Sequence, residues 1–198
     1  MSSRQRTGLV IGLTGSPGTG KKTAALALEP RLGVPCYSIS GLAEEAHAVS
    51  KRGDESTVDT DRLKARLAGR LWSRCLVYGH LLSDVIERRV LDVAIVLRCE
   101  PSVLKVRLSE RKYDALKVRD NVEAELIGYA SWEAKRAYGP SKVWELDTTR
   151  STPAETARAL ESIVGGRAKR GTAIDWVPFY DSAPKLRALL AAEAYGQA

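Results

Sequence analysis

A glycine-rich stretch near the start of the chain, GSPGTGKKT over residues 15–23, has residue types suited to holding phosphate. The Walker A pattern is Gly, four residues of any type, Gly, Lys, and then Ser or Thr. Gly15, Gly20 and Lys21 fill its fixed positions, and Lys22 stands where the hydroxyl residue belongs. The spacing therefore predicts a phosphate-binding loop with one changed position.

The segments on either side of the loop support this prediction. LVIGLTG is typical of a buried strand that leads into the loop, and KKTAALALEPRLG of a helix that leaves it. The amide groups and the positive dipole end of such a helix face bound phosphate, and Lys21 adds a point charge. An ordinary strand-to-helix turn is the less favoured alternative. We expect the nucleotide to contact Gly15, Pro17, Gly18, Thr19, Gly20, Lys21, Lys22 and Thr23.

The changed position concerns the metal ion. A Walker A hydroxyl normally helps to hold the Mg²⁺ that bridges the outer phosphates of ATP. Thr23 comes one residue later, about 100° further round the helix. Either Thr23 reaches the ion through a local shift or a water molecule, or Lys22 neutralises phosphate itself and metal binding weakens. ATP and Mg²⁺ are the expected cofactors, Thr23 is the candidate metal ligand, and the metal dependence stays open between these two outcomes.

Short β-rich runs alternate with longer helical patterns, which is typical of an α/β protein with a parallel sheet. The continuous apolar run VAIVL indicates burial on both faces, as in parallel sheets. The five predicted strands are LVIGL (9–13), PCYSI (35–39), RCLVY (74–78), VAIVLRC (93–99) and KVWEL (142–146).

Two helices can be located in the sequence from their residue patterns. Apolar residues at three- and four-residue spacing, including Val118, Val122 and Leu126, predict one long amphipathic helix over residues 117–138. TPAE over residues 152–155 predicts a helix start, with Thr as N-cap, Pro next and Glu three residues after the cap.

The remaining segments are more polar. GGRAKRG (165–171) reads as a basic linker, and residues 166–198 as an appendage that ends in a short helix bearing Leu186, Leu189 and Leu190. VSKRGDESTVD (49–59) reads as a mobile loop within the domain.

Composition narrows the class of protein. The 198 residues carry a formal charge of +7, which suits an anionic partner such as nucleotide, RNA or a ribosomal particle, or equally well solvates exposed helix faces. No apolar run is long enough to cross a bilayer, and MSSRQRT lacks the apolar core of a secretion signal. We therefore expect no membrane partner. The three cysteines, Cys36, Cys75 and Cys99, are scattered along the chain, which predicts buried thiols in a cytoplasmic protein.

Several ordered stretches resemble the adenylate kinase isoenzyme 6 family, which includes archaeal adenylate kinases and eukaryotic factors for small ribosomal subunit maturation. The similarity covers about residues 8–165, with IDW (174–176) similar to a C-terminal signature of archaeal members. The stretches are GLTGSPGTGKKT, VDTDRL (58–63), VYGH (77–80), WELDTT (144–149) and the lid-like segment 96–126, where the family has Arg-Gly-Tyr followed by ENVEAE.

The resemblance implies a P-loop nucleoside monophosphate kinase-like three-layer fold with a five-stranded parallel sheet, a lid region and a C-terminal appendage. The kinase domain would span residues 1–165, with a monophosphate-binding region near 40–62 and a lid near 108–120. The implied activity is phosphoryl transfer from ATP to AMP or another nucleoside monophosphate, with ATPase activity and a role in ribosomal RNA processing. The alternative is a nucleotide-dependent assembly factor, with a ribosomal protein or small-subunit RNA as partner, that has weak or no kinase turnover.

Carried over by position, the family's lid arginine falls on Arg111, with Arg107 one turn earlier as a second phosphate contact. His80 would contact phosphate or position water, and Asp59 and Asp61 would serve the monophosphate side. Each has a plainer alternative: a solvated helix for the arginines, a structural histidine, and a helix N-cap for the aspartates.

Lys22 and Tyr78 together predict weakened catalysis, and two residues, Lys112 and Tyr78, depart from the family pattern outside the loop. Lys112 replaces the glycine of Arg-Gly-Tyr, which would either stiffen or reshape the lid hinge. Tyr78 replaces an acidic residue that would hold magnesium or orient the attacking group.

Overall fold

The computed structural model describes residues 7–52, 55–70 and 72–191. Five parallel strands form the main sheet in the order β2-β5-β1-β6-β7. Their bounds are β1 Thr7–Thr14, β2 Cys36–Ser38, β5 Ser73–Tyr78, β6 Val93–Arg98 and β7 Val143–Asp147. All five predicted strands are confirmed, and so is the α/β class.

Helices cover both faces of the sheet, which gives three layers. They are α1 Lys21–Leu32, α2 Ile39–Glu45, α3 Thr60–Leu67, α4 Leu82–Val85, α5 Pro101–Glu110, α6 Ala115–Leu126, α7 Tyr129–Tyr138, α8 Pro153–Val164 and α9 Ala183–Leu190. Alternate residues of β1 point to opposite cores, since Ile11 and Leu13 pack with α1 and α8 while Val10 packs with α2, α3, α4 and α7. The central strand β1 is therefore buried on both sides.

The predicted helix over residues 117–138 is wrong as a single element. It consists of α6 and α7, separated at Ile127 and Gly128, where Gly128 has a left-handed φ of 69°. A Cβ at Gly128 would lie 3.4 Å from Nη1 of Arg98, so the break also leaves room for that guanidinium. Both helices bury apolar residues, and the apolar spacing therefore continued across the break.

The segment predicted as a mobile loop, residues 49–59, contains an antiparallel hairpin instead. Strands β3 Val49–Arg52 and β4 Glu55–Val58 pair with Val49 opposite Val58 and Ser50 opposite Thr57. Val49, Thr57 and Val58 have high β propensity, although the polarity of the other residues suggested a loop. Gly53 and Asp54 lie outside the described residues.

The segment after residue 165 packs against the domain. Trp176 and Leu189 are buried in a cluster with Leu104 of α5 and Val122 of α6. Helix α9 bears Leu186, Leu189 and Leu190 as predicted. The division of the chain at residue 165 stays a prediction, and the predicted features in residues 1–6 and 192–198 lie outside the described residues.

Two smaller observations concern the cysteines and the membrane. Burial raises the pKa of the Cys36 and Cys75 thiols to about 11 and that of Cys99 to about 12, which keeps them protonated. Within the described ranges, none of the helices has the length and apolar character needed to span a bilayer.

Candidate phosphoryl-transfer site

The glycine-rich loop joins the carboxyl end of β1 to the start of α1. Gly15, Gly18 and Gly20 have φ values of 135°, 88° and 93°, in the region that favours glycine. A Cβ at Gly15 would lie only 2.3 Å from the carbonyl oxygen of Leu97, so a larger residue cannot occupy this position without moving β6. The three glycines thus permit the tight curl that the Walker A spacing predicts.

Lys21 is the first residue of α1, and its side chain bends back over the loop. Its Nζ donates hydrogen bonds to the carbonyl oxygens of Gly15 at 2.7 Å and Ser16 at 2.9 Å. Burial lowers the pKa of Lys21 to about 8, with Glu125 acting to raise it and Arg111 to lower it further. The ammonium group is therefore held at the centre of the loop and titrates near physiological pH.

A cavity of about 450 Å³ opens beside the loop, and we call it the transfer cavity. Lys21, Lys22 and Arg111 bring three cationic side chains to it. Its lining residues are Pro17, Gly18, Gly20, Lys21, Lys22, Thr23, Ser38, Ile39, Ser40, Val58, Tyr78, Gly79, His80, Leu81, Arg111 and Tyr113. None of these described residues is an aspartate or a glutamate.

A second cavity of about 290 Å³ lies on the other side of the loop, between α5 and the segment after β7. Arg107 lines it, and its Nη2 donates to the carbonyl oxygens of Thr148 at 3.0 Å and Thr149 at 2.9 Å. Arg111 lines both cavities. The structure therefore brings Arg111 to the loop as predicted, while it places Arg107 in the second cavity only, and a phosphate contact for Arg107 stays a prediction.

The turn after α5 holds Lys112 at the position where the family has glycine. Lys112 has a left-handed φ of 59°. Its N–H donates to the carbonyl oxygen of Ser109, and the N–H of Tyr113 donates to that of Leu108. This Schellman pattern favours glycine at the left-handed position. The backbone keeps the conformation that a glycine would adopt, and in a lysine this conformation raises the free energy of the folded state.

Tyr78 is the last residue of β5, and His80 follows two residues later. Tyr78 is half-buried, and both residues line the transfer cavity. Surrounding protein and, secondarily, the Lys21 ammonium lower the pKa of His80 below its ordinary value. The imidazole is therefore neutral at pH 7 and can accept a hydrogen bond through one ring nitrogen.

The two predicted substrate-side aspartates lie at the start of α3. Asp59 accepts a hydrogen bond from the Arg62 N–H at 2.9 Å and caps the helix. Asp61 is exposed in the first turn. Neither lines the two cavities beside the loop, so the plainer alternative, an N-cap, describes Asp59, and a substrate contact stays a prediction.

Sequence reasoning missed the buried groups beneath the loop. Ser16 Oγ donates to Glu125 Oε2 at 2.6 Å, and Arg98 Nε donates to Glu125 Oε1 at 2.6 Å. The signal was present in VAIVLRC, because an arginine that ends a fully apolar strand is rarely buried without a partner.

The class of protein follows from three features: the order of the strands in the sheet, the glycine-rich loop and the lysine at the start of α1. Together they define a P-loop kinase of the nucleoside monophosphate kinase-like type. A shikimate kinase structure from Acinetobacter baumannii superposes with a TM-score of 0.56 at 16% identity, covering 83% of this chain and 97% of that one. At that identity the likeness concerns the fold alone. Residues 11–128 match a family described as an AAA domain.

Sequence relatives define the family more closely. A protein of Natronomonas pharaonis named "Putative adenylate kinase" is 35% identical over 85% of this chain and 96% of its own length. One of Thermococcus gammatolerans with the same name is 35% identical over 90% of this chain and 99% of its own length. The chain belongs to this adenylate kinase family, which confirms the resemblance found in the sequence.

Kinases of this class typically use ATP with Mg²⁺, and the residues at the loop can be tested against such an ion. Mg²⁺ prefers oxygen ligands, commonly one or two carboxylates together with substrate phosphates. The lining of the transfer cavity offers the Thr23 hydroxyl as an oxygen ligand. Its charged side chains, however, are two lysines and an arginine, and a tyrosine stands at the end of β5. This donor set does not fit a magnesium ion held by the protein, and Thr23 as a metal ligand stays a prediction.

Proposed function

We propose that the protein transfers the terminal phosphoryl group of ATP to the phosphate of a nucleoside monophosphate, with AMP as the first acceptor to test. One observation carries the proposal: the phosphate loop, Arg111 and the residues Ser38, Ser40 and Val58 from outside the loop all line the same transfer cavity of about 450 Å³. A shared cavity of this kind would let a donor and an acceptor phosphate meet beside the loop.

The donor side uses the backbone. Amide groups of the loop and of the first turn of α1 face the phosphate position, and the helix dipole favours negative charge there. Lys21 would exchange its bonds to the Gly15 and Ser16 carbonyl oxygens for bonds to the outer phosphates. Its position at the helix start makes that exchange a small movement of one side chain.

The acceptor side explains why the cavity can work without a carboxylate. A hydroxyl acceptor loses a proton during transfer, and kinases that act on hydroxyl groups use an aspartate to accept it. The phosphate of a nucleoside monophosphate has a second pKa of about 6, so its oxygens are already anionic at pH 7. Tyr78 in place of an acidic residue is therefore compatible with a phosphate acceptor and unfavourable for a hydroxyl acceptor.

Charge stabilisation comes from the chain itself. In phosphoryl transfer, negative charge lies on the three equatorial oxygens of the moving group. Arg111 and Lys22 both line the cavity and would neutralise that charge. Lys22 would place a cationic side chain at the position of the usual Walker A hydroxyl.

ATP hydrolysis is a second part of the proposal. His80 is neutral at pH 7 and lines the same cavity, so it can accept a hydrogen bond from an attacking water molecule. Because water, unlike a monophosphate, must lose a proton, we expect hydrolysis to be slower than transfer to AMP.

The direct test measures ADP formed from ATP and AMP, with Mg²⁺ and with EDTA. We expect the parent protein to keep a larger fraction of its activity in EDTA than a Lys22→Thr, Tyr78→Asp double variant, because that variant regains the metal-supporting groups. Lys64→Thr, at an exposed position of helix α3, is the matched lysine control. ATP binding without ADP formation in the parent and in both variants would contradict the kinase proposal.

A nucleotide-dependent assembly factor is the second candidate, with small ribosomal subunit maturation and a cytoplasmic location as its specific form. The net charge of +7 favours an anionic partner, and α7 exposes Trp132 and Tyr129 as a stacked pair, with Arg136 over the Trp132 ring. Sedimentation with small ribosomal subunits at low salt, in ATP but not ADP, would support it. Failure to sediment at any salt concentration would contradict it.

A further inference from the structure

A buried ion cluster lies beneath the phosphate loop, formed by Arg98 at the end of β6, Glu125 in α6 and Glu145 in β7. The side chains of Arg98 and Glu125 are 1% and 0% exposed. Arg98 Nε donates to Glu125 Oε1 at 2.6 Å, and Arg98 Nη1 lies 3.2 Å from Glu145 Oε2. Lys135 donates to the other oxygen of Glu145. Two anions thus share one fully buried guanidinium.

The cluster contacts the phosphate loop through one residue. Ser16 Oγ donates to Glu125 Oε2 at 2.6 Å. The carbonyl oxygen of the same serine accepts hydrogen bonds from Lys21 Nζ at 2.9 Å and from Thr19 Oγ1 at 2.8 Å. Ser16 therefore connects the cluster to the lysine that faces the phosphates.

The cluster also contacts the C-terminal segment, which is far along the chain. Trp176 Nε1 donates to Glu125 Oε1 at 3.3 Å. The carbonyl oxygen of Ile174 accepts from Arg98 Nη1 at 3.0 Å, and its N–H donates to Glu145 Oε2 at 3.0 Å. Trp176 therefore shares Glu125 with Ser16, and Ile174 contacts the other two members of the same cluster.

The hydrogen bonds of Glu125 leave it little freedom to rotate. Oε1 accepts from Arg98, from the Cys99 N–H at 3.1 Å and from Trp176, while Oε2 accepts from Ser16. In the described part of the chain, every buried side-chain nitrogen and oxygen has a hydrogen-bond partner. Hydrogen bonds in such a network polarise one another, so the removal of one donor weakens the neighbouring bonds.

We infer that the C-terminal segment is a working part of the nucleotide site, with Glu125 and Trp176 as positioning residues that hold Ser16 and the loop in the conformation that receives phosphate. Neither side chain lines the two cavities beside the loop, so each acts through Ser16. By linkage, nucleotide bound at the loop must change the free energy of the Trp176 contact to the same extent. The inference requires only the ATP binding of the proposed function and not phosphoryl transfer.

The first experiment removes the contact between loop and cluster. Ser16→Ala deletes one hydrogen bond to a charged group and leaves the Arg98 and Trp176 contacts of Glu125 in place. We expect ATP affinity, measured by calorimetry, to fall about tenfold. Ser131→Ala removes a partner of Arg98, at 3.3 Å, that has no hydrogen bond to Glu125 or Ser16, and we expect the ATP affinity of this variant to stay within about twofold of the parent.

The second experiment removes the donor in the C-terminal segment. Trp176→Phe keeps an aromatic ring in the buried position and deletes the N–H, and we expect ATP affinity to fall about threefold. Trp132→Phe, on the exposed face of α7, is the matched control. The double variant Ser16→Ala, Trp176→Phe should bind ATP about as weakly as Ser16→Ala alone, since both changes interrupt one connection.

Fluorescence gives a readout that a purely structural role would leave unchanged. ATP added to the parent and to Trp132→Phe should change the tryptophan emission, and that change should be largely lost in Trp176→Phe. Melting temperatures of the ligand-free proteins identify any variant that is poorly folded, and the serine and tryptophan variants each test the inference independently.

The outcomes separate the inference from the proposed function. Unchanged ATP affinity in both variants, additive losses in the double variant, or an equal loss in Ser131→Ala would overturn the inference alone. Weakened ATP binding in the variants, with no transfer to AMP by the parent, would overturn the kinase proposal alone. A parent protein that binds no ATP would overturn both.

Discussion

Adjacent lysines in the phosphate loop have different surroundings, and this difference determines what each can do. Lys21 is held against two backbone carbonyl oxygens, and burial lowers its pKa to about 8. Lys22 is exposed and lines the transfer cavity. At the residue scale, then, one lysine changes its charge near physiological pH, and the other is open to the phosphates.

The lowered pKa of Lys21 predicts that ATP binding depends on pH. Bound phosphates raise this pKa, so above pH 8 binding must take up a proton and affinity falls as pH rises, by up to about tenfold per unit. ATP dissociation constants measured from pH 7 to 9.5 would check this. Lys21→Arg, whose side chain stays charged, should flatten the profile, and an equally steep fall in that variant would contradict the assignment.

Part of the site could be predicted from single residues. The loop residues could be predicted because the spacing of their glycines is typical of one backbone conformation. Arg111 could be predicted because its flanking sequence resembles the family. Arg98 and Glu125 were missed because their partnership spans 27 residues and arises only when β6 and α6 meet. A buried ion pair leaves no spacing pattern in the sequence beyond an arginine in an apolar run.

At the scale of elements, the turn between α5 and α6 carries a conformational cost. Lys112 has φ of 59° at the position where a Schellman motif favours glycine. This turn also places Arg111 between the two cavities. The helix end that positions a catalytic candidate is therefore less stable than the family pattern would make it.

Lys112→Gly should stabilise the protein. A left-handed backbone costs a residue with Cβ about 1–2 kcal/mol, part of which glycine loses again through entropy of the unfolded chain, so we expect a net gain of about 1 kcal/mol. Chemical denaturation would measure it. Lys112→Ala removes the same side chain without relieving the backbone, and an equal gain in that variant would argue against backbone strain.

Helix α8 begins with a complete capping box, and its removal should be measurable. The Thr152 side chain accepts from the Glu155 N–H, and the Glu155 carboxylate accepts from the Thr152 N–H at 2.8 Å. Thr152→Ala should lower the free energy of unfolding by about 1 kcal/mol. The neighbouring Ser151→Ala serves as control, and equal losses in the two variants would contradict the capping role.

Helices and strands could be predicted from the sequence where the pattern of apolar residues marks their bounds. Strands β1, β5 and β6 were visible because burial on both faces makes a strand continuously apolar. The helix break at Gly128 was not, because α6 and α7 both bury apolar residues and one glycine is a weak stop signal. The hairpin β3–β4 was missed since its stability comes from pairing between polar residues.

At the scale of the whole molecule, the buried ion cluster joins parts of the chain that are distant in sequence. Arg98, Glu125 and Glu145 connect the loop after β1 to the C-terminal segment. Sequence reasoning treated residues 166–198 as an appendage because a basic, glycine-rich stretch precedes them, and the contacts of Ile174 and Trp176 with the cluster leave no spacing pattern in the sequence.

Removal of one member of the cluster should destabilise the whole molecule. Glu125→Ala leaves the Arg98 guanidinium buried without its main partner, and we expect a loss of about 3–5 kcal/mol in the free energy of unfolding. Arg98→Met combined with Glu125→Leu should recover most of that loss. Glu123→Ala, which breaks an exposed ion pair on the same helix, should change stability by less than about 1 kcal/mol.

A single large loss confined to Glu125→Ala would support the cluster as the common anchor. Equal effects of Glu123→Ala and Glu125→Ala would contradict it, because burial is what distinguishes the two glutamates.

The contact of Trp176 with Glu125 also bears on the order of events during protein synthesis. A ribosome makes the chain from its N-terminus, so every strand of the sheet is complete before residues 174–176 have been added. Until then Arg98 lacks the Ile174 carbonyl oxygen and Glu125 lacks the indole N–H. A nascent chain that already has its phosphate loop would thus acquire full nucleotide affinity only once its last anchors leave the exit tunnel, and a pause before Trp176 would delay it.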